Sequence, residues 1–491
     1  MSQPVAVNYT PTLLFVLLFA PLTALPAASG RAPNKPNILW LIAEDACPDF
    51  GCYGNTAART PNIDRLAGES RLYRNAFSTA SVCSASRSAF MTGVFQTRIG
   101  ASNHRSHRTA AYPRPAGVKL LPERLRDAGY FTANIRELPP ELGFKGTGKT
   151  DWNFFQTGKE FDSANWSDLK ARAPFYAQIN LSETHRVYRK AASNPVDPAT
   201  VKLPPYLADD PVIRDDWAAY LDSLAALDAK VGAVLELLKR EGLAENTVVF
   251  FFADHGREDF RGKYYSYEQG FRVPLLVRWP ALLNPGSASD ALVSLLDVHA
   301  TTLALAGVKA EGLDGWPIFG PGARIRDYVF GARDRIDDTP DRVRTVRDAR
   351  FKYIRNFEPE RPYLQRMIYA EVSNPTYNRM RQLHSEGKLN ADQRKFMAAQ
   401  RPSEELYDLR TDPFELNNLA GDPRHRATLD RLRAVLAAWL EDTRDESAAP
   451  EDQADLDAQL KNLEKIVAGH RQKLDPSGRL ESVPGAPERK N

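Results

Sequence analysis

Two continuous apolar runs, each ending at a pair of polar residues, constrain the fold of this chain more than any other feature. Ile38–Ala43 is followed by two acids, and Val248–Ala253 is followed by an aspartate and a histidine. Uninterrupted apolar runs of this length are typical of strands buried on both faces, as in parallel sheets covered by helices. We therefore expect both runs to be inner strands of one sheet.

Helical patterns separate these strands. The clearest extends from Asp215 to Leu243, with apolar residues at helical spacing and Gly242 as a stop signal. Two shorter segments, 60–71 and 120–135, each have the pattern of a helix followed by a strand. Strands that alternate with helices indicate an α/β fold.

The polar residues that follow the two strands predict a ligand site. Ligands of α/β sheets bind beyond the carboxyl ends of the strands, so these residues should meet at one edge. They are Glu44, Asp45, Asp254 and His255. Acids brought together there repel each other unless a cation lies between them. Oxygen-rich clusters suit hard cations such as Ca²⁺ or Mg²⁺, so we expect a metal site there, with plain surface turns as the alternative interpretation.

The sequence after about residue 340 differs in pattern from the part before it. Val343–Phe357 alternates in polarity, an irregular polar stretch begins at Glu358, and a helix is predicted from about Arg426 to Leu440. A further strand near Tyr328–Gly331 is assigned to the preceding part. We therefore predict a catalytic domain followed by a smaller C-terminal sheet domain. Their bounds are residues 31–340 and 341–445.

Both ends of the chain have compositions unlike the centre. The first thirty residues contain no charged side chain, and 13–20 is an apolar run with the length of a signal-peptide core. We predict a signal peptide over residues 1–30 and export to a periplasmic, secreted or lumenal location, with an uncleaved anchor as the alternative. Residues 446–491 are charged and poor in aromatics. We expect weak order there despite an amphipathic segment at 456–467.

Charge and hydropathy exclude two classes of partner. The chain has 65 Lys plus Arg against 62 Asp plus Glu, a net charge of +3. A general nucleic-acid binder would carry a basic excess, so we expect no nucleic-acid partner. No stretch after the leader is long and apolar enough to span a bilayer, and we expect no stable membrane span.

The segment SVCSASRSAFMTG (Ser81–Gly93) contains one of only three cysteines in the chain. Ser84–Met91 can form a helix with Cys83 at its N-terminus, where backbone N–H groups favour anions and lower the pKa of a thiol. Arg87 lies one turn further on the same side. A nucleophile, a helix start and a guanidinium together suit an oxyanion substrate such as sulfate or phosphate.

The other two cysteines leave their pairing open. An exported protein can form disulfides, but an odd number of cysteines leaves at least one without a partner in the chain. Cys47 and Cys52 could form a disulfide only if the loop between them turns tightly, and two buried thiols are the alternative.

CSASRSAFMTG resembles the signature of the type I sulfatases: Cys or Ser, any residue, Pro or Ala, Ser, Arg, then Leu or Met with Thr-Gly. Every specified position is filled, with Ala85 at the Pro/Ala place. In that family the cysteine is oxidised to formylglycine, an aldehyde whose hydrate is the nucleophile. The resemblance therefore implies that Cys83 is modified, and that a formylglycine-generating or sulfatase-maturing enzyme is a partner.

The resemblance extends over nearly all of the chain after the leader. Residues 36–87 resemble the N-terminal half of the family, and 407–423 resemble its C-terminal domain. This implies an alkaline-phosphatase-like fold, with a large α/β domain and a smaller C-terminal α+β sheet domain.

Position by position, the resemblance implies a metal site and a set of catalytic groups. The ion would be Ca²⁺, with Mg²⁺ as the alternative, and its ligands would be Glu44, Asp45, the modified Cys83, Asp254 and His255. Glu44 replaces the aspartate usual in the family but keeps a carboxylate. The catalytic residues would be Cys83, Arg87, Lys149, His185 and Lys263.

Each catalytic position has an implied role. Arg87 would hold both the formylglycine and the metal ligands, and Lys149 matches the family's active-site lysine. His185 is placed to protonate the leaving group, and Lys263 to grip the sulfate. Two positions after Lys149 the family usually has histidine, but this chain has Asp151. The base that acts on the hydrate therefore stays open.

Three further positions are expected to bind substrate: Asp151, Arg186 and His104. His107 lies in the same segment as His104, and a solvated loop is the alternative for both. The segments 53–67, 184–186 and 294–308 are most similar to the sulfamidase (heparan N-sulfatase) branch.

That similarity implies hydrolysis of sulfate from N-sulfoglucosamine at the end of a heparin- or heparan-type chain. Pocket loops decide sugar specificity, and the fold does not. A 6-O-sulfated amino sugar or another sulfated glycan is therefore an alternative substrate. Two other functions stay open: a phosphonate monoester or phosphodiester hydrolase of the same superfamily, and a non-catalytic exported glycan-binding protein.

Overall fold

The computed structural model describes residues 35–106, 108–445 and 453–471. The predicted signal peptide, His107 and the remaining parts of the predicted tail lie outside the described residues. Among the described residues, no helix combines the length and the apolar character needed to cross a membrane.

A large mixed sheet forms the centre of the described chain. Its strand order is β4-β3-β5-β1-β6-β8-β2-β7, with β9 pairing to β2. The strands are β1 Asn37–Ala43, β2 Arg71–Phe77, β3 Phe131–Glu137, β4 Ser163–Asn165, β5 Phe175–Leu181, β6 Thr247–Ala253, β7 Arg272–Val273, β8 Leu275–Arg278 and β9 Ser287–Ser294. Strands β4, β3, β5, β1 and β6 run parallel to one another.

The two apolar runs occupy the positions that their sequence predicts. β1 lies between β5 and β6, and Ala43 at the end of β1 is in register with Ala253 at the end of β6. Every residue of β1, β5 and β6 is buried. Because the strands are parallel and in register, the polar residues that follow them emerge side by side at one edge.

Helices cover the sheet and connect its strands. They are α1 Pro61–Gly68, α2 Cys83–Thr92, α3 Leu121–Asp127, α4 Pro211–Arg240, α5 Glu268–Phe271 and α6 Leu295–Leu305. The predicted helix–strand units are confirmed as α1–β2 and α3–β3. α4 begins four residues before the predicted start, because the Asp210 side chain caps it and Pro211 occupies its first turn.

A smaller antiparallel sheet follows, with strand order β10-β11-β12-β13. Its strands are β10 Val329–Arg333, β11 Val343–Arg347, β12 Phe351–Asn356 and β13 Glu404–Asp408. The sequence places β10 before the boundary at residue 340, but β10 pairs with β11 along its whole length. The smaller sheet therefore starts before the predicted boundary, and the division into domains 31–340 and 341–445 stays a prediction.

The stretch from Glu358 to β13 is more regular than its sequence indicates. It contains α7 Ile368–Ser373, α8 Pro375–Ser385 and α9 Ala391–Lys395. Asn374 caps α8 and Asn390 caps α9, so these asparagines are helix starts rather than loop residues. The expectation of an irregular stretch is wrong, because three short helices occupy much of it.

Two more helices complete the described residues: α10 Arg426–Asp442 and α11 Gln453–Arg471. α10 confirms the helix predicted from Arg426, and its buried face packs on the smaller sheet. α11 contains the amphipathic segment 456–467 of the predicted tail.

Candidate active site

Helix α2 places Cys83 at its first residue, as the sequence predicts. All ten residues of α2 are buried, and Cys83 is only 1 % exposed. The preceding Val82 is extended and offers no side-chain cap, so the first backbone N–H groups of the helix have no capping side chain. The helix ends at Gly93, whose φ of 77° lies in the left-handed region.

Four groups of metal-ligand type meet beside this cysteine. One ligand atom each of Asp45, Cys83, Asp254 and His255 lies within 4.8 Å of the others, and all four residues are buried. His255 Nε2 is 3.2 Å from Cys83 Sγ and 3.2 Å from Asp45 Oδ1. The ends of β1 and β6 thus come together as the alignment of the two parallel strands requires.

Glu44, the fifth predicted ligand, lies next to this group but points to a lysine. Its Oε2 accepts a hydrogen bond of 2.8 Å from Lys149 Nζ. The metal-ligand role of Glu44 stays a prediction. Its hydrogen bond with Lys149 fixes the position of that lysine.

Arg87 braces the site from within helix α2. Its Nε donates to Asp254 Oδ2 at 2.9 Å and its Nη1 donates to Asn180 Oδ1 at 2.8 Å. The guanidinium is buried, and among the described residues its Nη2 has no hydrogen-bond partner. An oxygen substituent on residue 83 or a bound oxyanion would satisfy that donor.

Two lysines, the buried Lys263 and the half-buried Lys149, control the charge of the cysteine. Lys263 Nζ donates to Asp45 Oδ2 at 2.7 Å, and Lys149 Nζ donates to the neighbouring Glu44 Oε2 at 2.8 Å. Burial alone raises the pKa of the Cys83 thiol, but Lys149 and Lys263 outweigh it and hold that pKa well below its ordinary value. The site therefore stabilises negative charge at residue 83.

His185 completes the ring of groups around Asp45. Its Nδ1 bonds to the carbonyl of Arg186 at 2.9 Å, and its Nε2 lies 4.0 Å from Asp45 Oδ2. Burial lowers the pKa of His185, but the Asp45 carboxylate outweighs burial and raises it above its ordinary value. A histidine of this kind carries a proton that it can donate.

Asp151 is held by cations on three sides. Arg108 Nη2 donates to its Oδ1 at 2.6 Å, Arg105 Nε lies 3.6 Å away, and Lys149 Nζ lies 4.0 Å from Oδ2. Burial raises the pKa of Asp151, but the two arginines and the lysine bring it well below its usual range. The carboxylate is therefore a fixed anion and a weak base.

The other two predicted substrate-binding residues have different surroundings. Arg186 is buried and forms a bidentate pair with Asp216 at 2.7 and 2.8 Å, which ties it to α4. His104 is buried and bonds through Nδ1 to Asp337 at 2.9 Å. A direct contact of either residue with substrate stays a prediction.

The donor set fits a hard cation. Two carboxylates approach from adjacent parallel strands, and Asp45 has a φ of 52°, a left-handed conformation that is uncommon for an aspartate. Carboxylate oxygens are the ligands that Ca²⁺ and Mg²⁺ prefer, and conversion of Cys83 to an oxygen-bearing group would make the set richer in oxygen. Asp45, Asp254, His255 and residue 83 would hold such an ion.

Sequence reasoning missed several residues of this site. Asn180 lies near the end of β5 and accepts from Arg87, and the same strand-end argument that found Asp45 could have found it. Arg105 and Arg108, which hold Asp151, follow no strand and belong to no recognised motif. They are brought in by a loop whose path the sequence does not predict.

The remaining cysteines form no disulfide in the structure. Cys47, Cys52 and Cys83 are all free. Cys47 is buried, and its Sγ bonds to the carbonyl of Gln269 at 3.1 Å. The interpretation of Cys47 and Cys52 as unpaired thiols fits this arrangement.

Comparison with known proteins gives the family. The family model described as Sulfatase matches residues 36–308, more than half of the chain. An ulvan-active sulfatase of Formosa agariphila is 34% identical over 481 residues, which cover 87% of this chain and 78% of the relative. The chain therefore belongs to the sulfatase family, whose members hydrolyse sulfuric esters.

A second relative and a solved structure agree with the fold. Human N-sulphoglucosamine sulphohydrolase is 28% identical, covering 86% of this chain and 93% of the human protein. A phosphonate monoester hydrolase from Silicibacter pomeroyi superposes with a TM-score of 0.60 at 18% identity, covering 84% of this chain and 97% of that one. The alkaline-phosphatase-like architecture predicted from the sequence is confirmed.

Proposed function

We propose that this protein removes sulfate from a sulfated carbohydrate, with a formylglycine formed from Cys83 as its nucleophile. One observation carries the proposal. Cys83 begins a buried helix and lies beside Asp45, Asp254 and His255, and the positive charges of Lys149, Lys263 and His255 favour an anion at that position. That arrangement is what attack on a sulfate ester requires.

The reaction also needs two groups that the translated chain does not contain, a metal ion and the formylglycine. A Ca²⁺ or Mg²⁺ ion held by Asp45, Asp254 and His255 would supply positive charge opposite the sulfate oxygens. The hydrated aldehyde of formylglycine would supply the oxygen that displaces the alcohol or amine from sulfur, and its return to the aldehyde would release sulfate. A plain serine or thiol has no such route to release.

The cationic side chains act on the substrate's charge. Lys263 and Lys149 each donate a short hydrogen bond to a carboxylate, Asp45 and Glu44 respectively, so their ammonium groups are oriented before substrate arrives. Arg87 keeps one buried N–H donor for an oxygen at residue 83. Together they neutralise the charge that builds on the sulfuryl oxygens.

His185 is the proton donor in this scheme. The bond from its Nδ1 to a backbone carbonyl fixes the ring so that Nε2 points to the Asp45 side of the site. The raised pKa keeps the proton available for the departing oxygen or nitrogen. Asp151, held as an anion by Arg105 and Arg108, lies 4.0 Å from Lys149 at the position where the family usually has histidine.

The substrate is a sulfated sugar on two grounds. The relative of 34% identity is named for activity on ulvan, and the human relative of 28% identity is named for N-sulphoglucosamine. N-Sulfoglucosamine is the substrate that the segments 53–67 and 294–308 favour, and ulvan is its rival.

The first experiment measures the mass of the tryptic peptide Asn75–Arg87 from protein made in its native host. We expect a peptide lighter by the exchange of one sulfur and two hydrogens for one oxygen, with Cys83→Ala protein as the reference. A peptide that carries only the unmodified thiol contradicts the formylglycine mechanism.

Activity assays on the modified protein test the substrate. Sulfate release is measured from N-sulfoglucosamine, from ulvan oligosaccharides and from an aryl sulfate, in parallel with hydrolysis of a phosphonate monoester and a phosphodiester. We expect release from at least one of the sulfated sugars and none from Cys83→Ala. Faster phosphonate hydrolysis would support the phosphonate alternative, and glycan binding without turnover would support the glycan-binding alternative.

A further inference from the structure

Two buried asparagines lie on the neighbouring strands β3 and β5. Asn134 is 7 % exposed and Asn180 is fully buried. In the parallel register Asn134 pairs with Gln178, two residues before Asn180, so both amide side chains lie on the same face of the sheet. Burying an amide is costly unless its donor and its acceptor both have partners, so we expect these side chains to belong to a hydrogen-bond network.

The two amides form a chain of hydrogen bonds that begins at Arg87. Arg87 Nη1 donates to Asn180 Oδ1 at 2.8 Å, and Asn180 Nδ2 donates to Asn134 Oδ1 at 3.1 Å. Asn134 Nδ2 then donates to the carbonyl of Gly148 at 2.8 Å. A guanidinium can only donate and a carbonyl can only accept, so the two ends of the chain determine the orientation of both amides.

The chain of hydrogen bonds ends at the loop that carries Lys149. Gly148 directly precedes Lys149, whose ammonium donates to Glu44 Oε2 at 2.8 Å. Lys149 and Arg87 are two of the cationic side chains that act on the substrate's charge in the proposed function. The asparagines therefore connect two of these cations, which belong to separate elements, through one continuous set of contacts.

The backbone of this loop has further contacts with the same two strands. The Thr147 N–H donates to the carbonyl of Asn180 at 3.0 Å. At Gly146 an added Cβ would lie 2.2 Å from the carbonyl oxygen of Ile135, so the loop packs directly against β3. The main chain that leads to Lys149 is therefore held by β3 and β5.

We propose that Asn134 and Asn180 are positioning residues that hold Lys149 at a fixed place relative to Arg87. This inference rests on the proposed function, because it concerns how the charges of the same site are arranged. Charged groups stabilise a transition state best when they are already in place before the reaction. Among the described residues the Asn134 side chain bonds to Asn180 and Gly148 and to no member of the metal-ligand group, so it would act through the loop.

A double-mutant cycle tests whether Asn134 acts through Lys149. kcat/KM is measured for wild type, Asn134→Ala, Lys149→Ala and the double variant, on N-sulfoglucosamine, ulvan oligosaccharides and 4-nitrophenyl sulfate. Asn134→Ala alone should lower kcat/KM about tenfold, because the hydrogen bonds that hold the loop are lost. In the Lys149→Ala background the same substitution should change kcat/KM less than about twofold. An equal fall in both backgrounds would overturn the proposal, because a merely structural asparagine would lower activity whether or not Lys149 is present.

Asn37→Ala is the matched control on the same sheet. Asn37 is 2 % exposed at the start of β1, where its Oδ1 accepts from the Phe175 N–H at 3.3 Å and its Nδ2 donates to Thr247 Oγ1 at 3.5 Å. It bridges neighbouring strands as Asn134 does, but at the amino ends of the strands. We expect Asn37→Ala to lower the melting temperature, as Asn134→Ala does, and to keep kcat/KM within about twofold of wild type.

Amide hydrogen exchange tests the positioning without reference to sulfatase activity. The Thr147 N–H bonds to the Asn180 carbonyl, so its exchange reports on opening of the loop before Lys149. Exchange in residues 146–149 should be about tenfold faster in Asn134→Ala than in wild type, and unchanged in Asn37→Ala. Asn134→Ser, whose side chain is too short to reach both partners, should give the same result and replaces Asn134→Ala if that variant does not fold.

The exchange measurement separates the two proposals. Faster exchange in the Asn134 variants of a protein that releases no sulfate would support the positioning of the loop and contradict the proposed function. Exchange at the wild-type rate in these variants would contradict the positioning role and leave the sulfatase function intact.

Discussion

Arg87 shows at the scale of one residue why this site needs a guanidinium. A lysine has one compact ammonium and cannot span the carboxylate of Asp254 and the amide of Asn180 in fixed directions. In Arg87→Lys a buried acceptor loses its partner, which costs about 1–3 kcal/mol.

We expect Arg87→Lys to lower kcat/KM for a sulfated substrate at least about 100-fold, because the charge opposite residue 83 is displaced. Arg98→Lys is the matched control, since Arg98 likewise bonds two side chains, Asp314 and Asp442, but lies partly exposed near α10. Steady-state kinetics and urea unfolding measure both effects. Equal losses in the two variants would contradict the role assigned to Arg87.

A second residue gives the protein a predictable pH dependence. His299 of α6 is buried with Nδ1 on the carbonyl of Phe90, and burial lowers its pKa from 6.5 to about 3. Between pH 6.5 and pH 3, His299 is protonated in the unfolded chain but neutral in the folded chain. The free energy of unfolding therefore falls as pH falls through that range. His299 alone should lower the free energy of unfolding by about 2 kcal/mol at pH 5.0 relative to pH 7.5.

Urea unfolding of His299→Gln at the two pH values tests this. In His299→Gln, the difference between the unfolding free energies at pH 7.5 and pH 5.0 should be about 2 kcal/mol smaller than in wild type. His384→Gln, at an exposed position of α8, should leave the difference unchanged. A wild-type pH dependence in His299→Gln would show that another group is responsible.

At the scale of elements, the end of helix α2 is as constrained as its start. Gly93 has a φ of 77°, and a Cβ there would lie 2.8 Å from the His299 ring and 2.9 Å from Leu313. Gly93→Ala should therefore combine left-handed strain with overpacking and destabilise the protein by about 2–4 kcal/mol.

Gly129, which follows α3, is the control for strain alone. Its φ is 83°, and no described atom beyond its chain neighbours would lie within 4 Å of an added Cβ. Gly129→Ala should cost about 1–2 kcal/mol, less than Gly93→Ala in urea unfolding. Equal costs would mean that the contact of α2 with α6 is looser than the structure indicates.

The elements that sequence predicts well are those with a strong internal pattern. β1 and β6 contain uninterrupted apolar runs, and a short run of that kind is typical of a strand buried on both faces of a sheet. Their parallel register then brings Asp45 and Asp254 together without further assumptions. The cluster of Asp45, Cys83, Asp254 and His255 could therefore be predicted from strand ends and one signature.

The elements that sequence predicts poorly depend on distant contacts. The region of α7–α9 is held by Phe396 and its neighbours against Tyr265 and Phe260, residues more than a hundred positions away. Arg105 reaches Asp151 through a loop, and no periodicity marks it. Local pattern alone contains neither relationship.

At the scale of the whole molecule, the two sheets share apolar packing. One buried cluster contains Ala89 of α2 and Leu296 of α6 together with Val346 of the smaller sheet and Leu432 of α10. The helix that carries Cys83 is therefore part of the same packed unit as the smaller sheet. We expect the protein to lose its catalytic site and its C-terminal sheet in one cooperative transition.

Trp439 of α10 is the residue with which to test this. It is 6 % exposed, stacks on Phe330 at 5.0 Å and meets Phe95 edge-on at 5.2 Å. Trp439→Ala leaves a large cavity and should cost about 3–5 kcal/mol, whereas Leu282→Ala, at an exposed position, should cost less than about 0.5 kcal/mol. Sulfatase activity and far-ultraviolet circular dichroism, followed through the same urea series, should fall together in wild type and in Trp439→Ala. Activity that survives a first, separate transition would instead show that residues 31–340 fold without 341–445.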